Sequence, residues 1–514
     1  MTESREYGKI YISKEGEYMR KAGILLHISS LPNKYGIGTL GKSAHHFVDF
    51  LVKSKQKLWQ VLPICPTSYG DSPYQTTGSF AGNPYFIDLD ILCEEGLLKE
   101  EDYEHLKTDN EKVDYGYIYE TRFDVLKIAY ENFKLTEQNE FKKFIKLEKD
   151  WLEDFALYSA IKKQFNGLPW IEWEEDFLKK DNKTMKKFIK ENTDEINFQY
   201  FLQYKFYEQW NKLKAYANSN DIQIIGDLPI YVSLDSADVW SNKENYQLNE
   251  ELLPDVVAGV PPDAFSEEGQ LWGNPIYDYK KMKKDNYSWW VNRVRHSLKI
   301  FDIVRIDHFR GFESYWAVPY GDENAKGGKW VKGPGYELFK TIERELNIQG
   351  EFKIIAEDLG FLTPAVHKLL KKTGYPGMKI LEFAFDPEND NDYMPYNILE
   401  NSIVYPGTHD NMTIMGWYLE GINEQTRNYV NQYLEIDHIN AVVPRVIRAA
   451  LNTPAHTVIV QMQDYLELDN SARMNEPSTT GNNWVWRLKE EDLSEYTSER
   501  IRYWTTVYRR NTVK

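Results

Sequence analysis

Three short segments carry acids in a suggestive arrangement, the first and third beside arginine or histidine: Val304-Arg305-Ile306-Asp307-His308, Ile355-Ala356-Glu357-Asp358 and Gly407-Thr408-His409-Asp410-Asn411. In each, apolar and β-branched residues run into the acids or stand just before them, which is how a strand ends at a polar mouth. Paired carboxylates suit glycoside chemistry: one attacks the anomeric carbon while the other donates and later removes a proton. Arg305 and Asp307 alternate with Val304 and Ile306, so an extended chain turns the charged pair to one face and the apolar pair to the other. On this reading Arg305 holds Asp307 ionised, because a nearby positive charge lowers a carboxyl pKa. Glu357 needs a drier or more negative surrounding to keep its proton, with Asp358 and Asp410 as sources of the field. Taken singly, each acid equally suits a helix cap or a buried ion pair.

These acids lie about 50 residues apart in the chain, so only a convergent fold brings them together. Short apolar runs, each followed by a stretch long enough for a helix, recur at residues 23–27, 58–62, 222–226, 303–307, 354–357, 378–383, 403–405 and 458–462. Eight strand-and-helix repeats predict an α/β fold, a (β/α)8 TIM barrel, with a doubly wound sheet plus a helical domain as the alternative. Strands 1 and 2 fall within residues 1–84 and strands 3 to 8 within 216–514. Residues 85–215, rich in Lys, Glu, Leu, Phe and Trp, read as an inserted helical subdomain, with apolar spacings of three and four over 151–165 and 198–216. Residues 227–290 carry Gly, Pro and aromatic residues and read as a lid-like loop insertion near the barrel mouth.

Gly36-Ile-Gly-Thr-Leu-Gly-Lys-Ser43 matches both a phosphate-loop and a dinucleotide pattern. Either mechanism needs a strand running directly into the glycines, and Pro32 breaks the chain before them; the next strand also ends Val61-Leu62-Pro63, without the acid a ribose needs. A glycine-rich turn before a helix starting near Lys42 is the better reading, and a phosphate-loop NTPase a distant alternative.

The 514 residues carry 62 basic and 79 acidic side chains, a net charge of −17, which argues against nucleic acid or an anionic membrane surface as partner. Aromatic residues make up 15%, and surplus Tyr and Trp supply either core or flat platforms of the kind that bind sugar rings. Two cysteines, Cys65 and Cys93, are too few and too far apart for a disulfide framework, and no run of 18 apolar residues or amino-terminal signal core is present. A cytoplasmic protein, a monomer or weak homo-oligomer, is expected.

The motifs Arg-Ile-Asp-His-Phe-Arg-Gly at 305–311, Ala-Glu-Asp-Leu-Gly at 356–360 and Gly-Thr-His-Asp-Asn at 407–411, with the segment 262–275, resemble those of the 4-alpha-glucanotransferases, also called amylomaltases or disproportionating enzymes, relatives of α-amylase. The likeness extends from Gly23-Ile-Leu-Leu-His-Ile-Ser-Ser-Leu31 through Ser72-Pro-Tyr74 and Phe80-Ala-Gly-Asn-Pro84 to Arg473-Met-Asn-Glu-Pro477. It implies retaining transfer of α-1,4-glucan segments to the 4-hydroxyl of an acceptor sugar, through a covalent glycosyl-enzyme. It implies Asp307 as nucleophile, Glu357 as general acid/base and Asp410 as a third acid on the sugar hydroxyls. Arg305, His308 and His409 would line the subsite where the bond breaks, Tyr74 would stack on the sugar, and Asp227 would bind its hydroxyls. Trp272 and Asn274 fall in a segment that folds over the glucan. Maltooligosaccharides and α-1,4-glucans are the implied partners, with no cofactor and no metal. A hydrolase using the same carboxylates is the close alternative, separated by whether water or a sugar hydroxyl captures the intermediate.

Overall fold

All eight apolar runs become strands of one closed parallel barrel. In a computed structural model, which describes residues 20–511 apart from 69, 263–265 and 361, the strands are β1 (Lys21–Leu25), β2 (Leu58–Gln60), β3 (Gln223–Leu228), β4 (Val256–Val260), β5 (Gln270–Pro275), β6 (Ile303–Ile306), β7 (Ser314–Pro319), β8 (Lys329–Lys332), β9 (Ile354–Ala356), β10 (Gly377–Ile380), β11 (Ser402–Tyr405) and β12 (Thr457–Gln461). The barrel closes in the order β1-β12-β11-β10-β9-β6-β3-β2, every pair parallel, so sequential barrel strands are neighbours and all point their carboxyl ends at one mouth. The doubly wound alternative is excluded by this closure. The amino-terminal segment and residues 263–265 of the 262–275 motif lie outside the described residues.

Barrel packing leaves little tolerance for side-chain volume. A Cβ on Gly226 would stand 2.1 Å from the Phe301 ring, so only glycine lets Phe301 pack directly behind the strand end that carries Asp227. The sixth apolar run is longer than its strand: β10 stops at Ile380 and the chain turns as a 3₁₀ helix over Leu381–Phe383.

Between β2 and β3 the chain is helical. Its longest helix, Thr193–Ser219, has 27 residues and buries Phe198, Phe201, Leu202, Phe206, Trp210, Leu213 and Ala217 at spacings of three and four. The Trp210 Nε1 donates to the Ile300 carbonyl at 3.0 Å, tying this helix to the barrel helix Ser288–Ile300.

Residues 227–290 hold more regular structure than their glycine and proline content suggests. β4 and β5 form an antiparallel pair, and β4 also pairs with β7, giving a four-stranded sheet in the order β5-β4-β7-β8. This sheet joins the excursion after β3 to the excursion after β6. Sequence alone hid it, because its partners lie about 60 residues apart and its strands are short.

The glycine-rich segment folds as a turn before the helix Lys42–Lys53, with Gly41 at the N-cap. A Cβ on Gly41 would come 2.0 Å from the Asp88 carboxylate, which also accepts the Thr39 hydroxyl at 2.6 Å. A carboxylate from the chain itself therefore stands against the turn where a phosphate would need to approach.

Candidate active site

Register explains the first half of the site. β3 pairs with β6 so that Asp227 stands beside Arg305, and Arg305 and Asp307 share a face. Arg305 Nη1 donates to Asp227 Oδ1 and Oδ2 at 2.8 and 2.6 Å and to Asp307 Oδ1 at 3.0 Å. Asp227 is closed off: its side chain has 0% exposure and also accepts the Tyr74 hydroxyl at 3.0 Å. The expectation that it offers its carboxylate to sugar hydroxyls meets a group whose oxygens are already committed to Arg305 and Tyr74. Asp307 keeps 26% of its side chain exposed, so it is the member of this chain that faces the mouth.

Burial pushes the Asp307 carboxyl up to about 6, against the pull of Arg305 and with further repulsion from Asp227 and Asp410. Arg305 was expected to dominate here. It does not, because burial outweighs it, and the same Nη1 atom is also shared with the fully buried Asp227.

β6 and β9 are neighbours with Ile306 opposite Ala356, so one further step in register sets Asp307 beside Glu357 at the barrel rim. Glu357 accepts the His308 amide at 2.6 Å through Oε2 and the Leu359 amide at 2.8 Å through Oε1. His308 adopts a left-handed conformation, φ 46°, which turns its amide back onto that carboxyl. Burial first, and then repulsion from Asp307, push Glu357 up to about 7. The negative neighbour is Asp307, not the expected Asp358. Asp358 is 2% exposed and accepts the Met378 amide at 2.6 Å, a structural tether between β9 and β10.

Asp410 follows β11 and projects a side chain that is 43% exposed. Burial disfavours its ionised form, but His409, with Nε2 3.2 Å from Oδ2, and the Asn475 amide, which donates to Oδ1 at 2.7 Å, outweigh that and hold the carboxyl well below the usual range. His409 is nearly enclosed, with its ring stacked on Tyr74 at 5.3 Å between centroids and its Nε2 2.8 Å from the Tyr74 hydroxyl. Tyr74 therefore links the two acid groups: its hydroxyl joins Asp227 on one side to His409 and thence Asp410 on the other. Burial, followed by the Asp227 charge, raises the phenol well above its ordinary value, so it serves as a neutral donor.

Trp272 and Asn274 both lie on β5. The Trp272 ring packs edge-on to His308 at 4.8 Å between centroids and remains partly exposed. Asn274 instead faces inward, 5% exposed, donating to the Val232 carbonyl at 2.8 Å. It anchors the strand rather than presenting its amide to the mouth. The structure thus brings nine of the ten expected residues into one connected group around the mouth, with Asn274 behind it.

Sequence reasoning missed Asn475, Arg473 and His27. Arg473 donates to the Asp410 carbonyl at 2.8 Å and, through Nε, to the Asn475 carbonyl at 2.8 Å, so it fixes both residues relative to each other. The motif 473–477 was visible; its contact with a loop 65 positions earlier was not. His27 follows β1 and is held neutral, its pKa lowered to about 3 by burial and by the charge of His409.

With this geometry in place, comparison with known proteins is direct. The family model for 4-alpha-glucanotransferase matches residues 26–494. A 4-alpha-glucanotransferase from Streptococcus pneumoniae serotype 4 is 49% identical over 495 residues, covering 96% of this chain and 97% of that protein. One from Clostridium butyricum is 48% identical over 488 residues, covering 94% and 100%. The solved structure of amylomaltase from Streptococcus agalactiae in complex with acarbose superposes with a TM-score of 0.93 at 41% identity, covering 96% of this chain and 100% of that one. A chain matched by the family model over most of its length, with such relatives end to end, is an enzyme that belongs to the 4-alpha-glucanotransferase family.

Proposed function

We propose that Asp307, Glu357 and Asp410 carry out a retaining transfer of α-1,4-glucan segments, with maltooligosaccharides and longer α-1,4-glucans as substrates. The observation that carries this reading is the Asp307–Glu357 pair. The two follow paired positions on adjacent strands, and after burial it is the Asp307 charge that raises the Glu357 carboxyl, so the two groups act on each other directly. Neighbouring carboxyls favour direct attack by one of them over activation of an intervening water, which needs about 6.5 to 9.5 Å.

In the first step an ionised Asp307 oxygen attacks C1 of the donor while the C1–O4 bond breaks and the leaving O4 takes the proton of Glu357. The product is a glycosyl ester on Asp307. In the second step Glu357 removes the proton from an acceptor 4-hydroxyl, that oxygen attacks C1, and the ester bond breaks, returning Asp307 to its ionised form. Asp410, ionised beside His409 and Asn475, accepts sugar hydroxyls and stabilises the positive charge that develops on the ring. Asp227 and Arg305 act through Asp307 as positioning residues.

Residues 85–215 are assigned to a helical subdomain, and the excursion over 227–290 to a lid whose strand β5 presents Trp272 beside His308. Transfer wins over hydrolysis only if a millimolar sugar outcompetes water at about 55 M, which requires the acceptor to be positioned and water excluded. Trp272 is the candidate platform for that acceptor. No helix among the described residues is long and apolar enough to cross a membrane. Cys65 and Cys93 are free, and that accords with a cytoplasmic location.

The test is incubation with maltotriose. Glucose together with a ladder of longer maltooligosaccharides, with little gain in reducing ends, is the expected product pattern. A steady rise in reducing ends with no chain longer than the substrate replaces transfer by hydrolysis.

A further inference from the structure

Two acids that the reaction above does not use flank the loop that carries Asp410. β10, β11 and β12 are consecutive strands of the barrel, and the segment 406–414 leaves the end of β11 between the ends of its two neighbours. Glu382 lies just past β10 and Asp464 just past β12, so one acid stands on each side of that segment. The Glu382 amide donates to the Pro406 carbonyl at 3.1 Å, and Asp464 Oδ1 accepts the Ile414 amide at 2.8 Å. The two contacts grip the segment at both of its ends.

Inside the segment, Asn411 closes a tight loop. Its Oδ1 accepts the Thr408 amide at 3.0 Å and the Thr408 hydroxyl at 2.8 Å, and the Asp410 amide in turn donates to that hydroxyl at 3.4 Å. This occupies the Asn411 oxygen and leaves its NH2 group to donate, and the Glu382 carboxyl is the acceptor that bonds with it. Glu382 also presses on the chain: a Cβ on Gly407 would lie 2.5 Å from Oε1, so glycine is what lets the carboxyl come this close. A line of contacts therefore runs from Glu382 through Asn411 and Thr408 to the backbone of Asp410.

The charge state of Glu382 suits a clamp beside a catalytic acid. Its Oε1 and Asp464 Oδ2 are enclosed with no hydrogen-bond donor among the described residues. Burial and then the Asp464 charge raise Glu382 well above the usual carboxyl range, although the Asn411 amide and the Arg473 guanidinium pull the other way. Two acids facing one guanidinium leave one proton to be kept, and because the repulsion falls on Glu382, that is the acid that keeps it. A neutral Glu382 holds Asn411 without adding a second negative charge behind Asp410.

We propose that Glu382 is a positioning residue for Asp410, clamping the segment 406–414 against the barrel rim together with Asp464. It rests on the role given to Asp410 above and deepens it: the Asp410 side chain is oriented by His409 and Asn475, while its backbone is set by Glu382 through Asn411 and Thr408. Glu382 touches no reacting atom, so its whole effect passes through Asp410.

The test is a double-mutant cycle in the full-length enzyme, with Glu382→Ala, Asp410→Asn and both together, beside Glu382→Gln. Turnover is measured with maltotriose and with an α-glucosyl fluoride, a donor reactive enough to follow in slow variants, and each variant is first checked by thermal melt. Glu382→Ala should lose about tenfold to a hundredfold in kcat, the scale of a small misplacement of a catalytic group. The loss should be equal for the two donors, because Asp410 acts on the ring and not on the leaving group. In the Asp410→Asn background the same change should cost less than about threefold, since the group being positioned is already gone. Glu382→Gln, which keeps the shape and the neutral state, should restore kcat to within about threefold of wild type. A full, additive loss from Glu382→Ala in the Asp410→Asn background overturns the proposal and marks a general structural effect. So does a Glu382→Gln variant as impaired as Glu382→Ala, or a folded Glu382→Ala with wild-type turnover. Ordinary turnover by Asp410→Asn alone would instead overturn the role given to Asp410, and the purpose of the clamp with it.

Discussion

Replacing Asp227 by Asn removes one negative charge from a fully buried position whose oxygens are held by Arg305 and Tyr74, so its effects report on what the buried Asp227–Arg305–Asp307 chain does. The Asp227 and Asp307 oxygens held by Arg305 Nη1 are at most about 5.6 Å apart, since that nitrogen is 2.6 Å from one and 3.0 Å from the other. At an effective dielectric of about 20, two unit charges at that distance repel by about 3 kcal/mol, or about 2 pH units. Partial exposure of Asp307 at 26% screens this, leaving about 1 to 2 units. The variant also frees Arg305 to attract Asp307 alone. Both effects have one sign: Asp307 ionises more readily, and the acid limb of kcat/KM moves down from about pH 6 by 1 to 2 units. Stability should fall modestly, because Arg305 retains Asp307 and Asn still accepts one hydrogen bond. About 2 kcal/mol, below the roughly 3 to 5 kcal/mol for breaking a buried pair outright, lowers the transition by about 2 °C in a chain of 514 residues, at about 2.1 cal/mol/K of unfolding entropy per residue. The assay is a pH–rate profile with maltotriose beside a thermal melt. An acid limb that stays at pH 6 or rises would refute the coupling of Asp227 to Asp307.

Other consequences are equally open to measurement. Asp307→Asn should retain its fold and lose several decades of activity, and ordinary turnover would remove Asp307 from the nucleophile's role. Glu357→Gln should lose activity on maltotriose yet still be labelled by an α-glucosyl fluoride, whose leaving group departs without a proton; an equal loss with both would contradict the acid/base assignment. Trp272→Ala should shift maltotriose products from a ladder towards net hydrolysis, read as reducing ends gained per transfer. Asp464 is fully buried and raised to about 7, with one oxygen accepting the Ile414 amide at 2.8 Å and the other unpaired among the described residues. A carboxyl whose folded pKa lies above its unfolded value stabilises the fold only while protonated, so wild-type stability should decline as pH rises from about 4 to 7. Asp464→Asn should flatten that decline, and an unchanged slope in its melting curves would count against this account.

Much of this was legible in the chain because strands and strand ends are local patterns. The eight apolar runs, the helix at Lys42 and the helical character of residues 151–165 and 198–216 needed only periodicity over a few residues, and the structure reproduces them. The acids at 307, 357 and 410 were legible for the same reason: each closes or closely follows a barrel strand, and closure of a parallel barrel sends all such ends to one mouth.

What each side chain faces was decided elsewhere. Whether Asp227 meets solvent or Arg305, whether Asn274 lines the mouth or ties β5 to Val232, and whether Asp307 or Asp358 raises Glu357 all depend on register between strands dozens of residues apart. The sheet β5-β4-β7-β8 and the grip of Arg473 and Asn475 on Asp410 depend on the same kind of long-range contact. Composition and spacing determine which chemistry the chain carries, because residue type and backbone period are properties of neighbours in sequence. Burial and Coulomb energy act between neighbours in space, so only the closed barrel sets which carboxyl is enclosed, which is shared, and which keeps its proton.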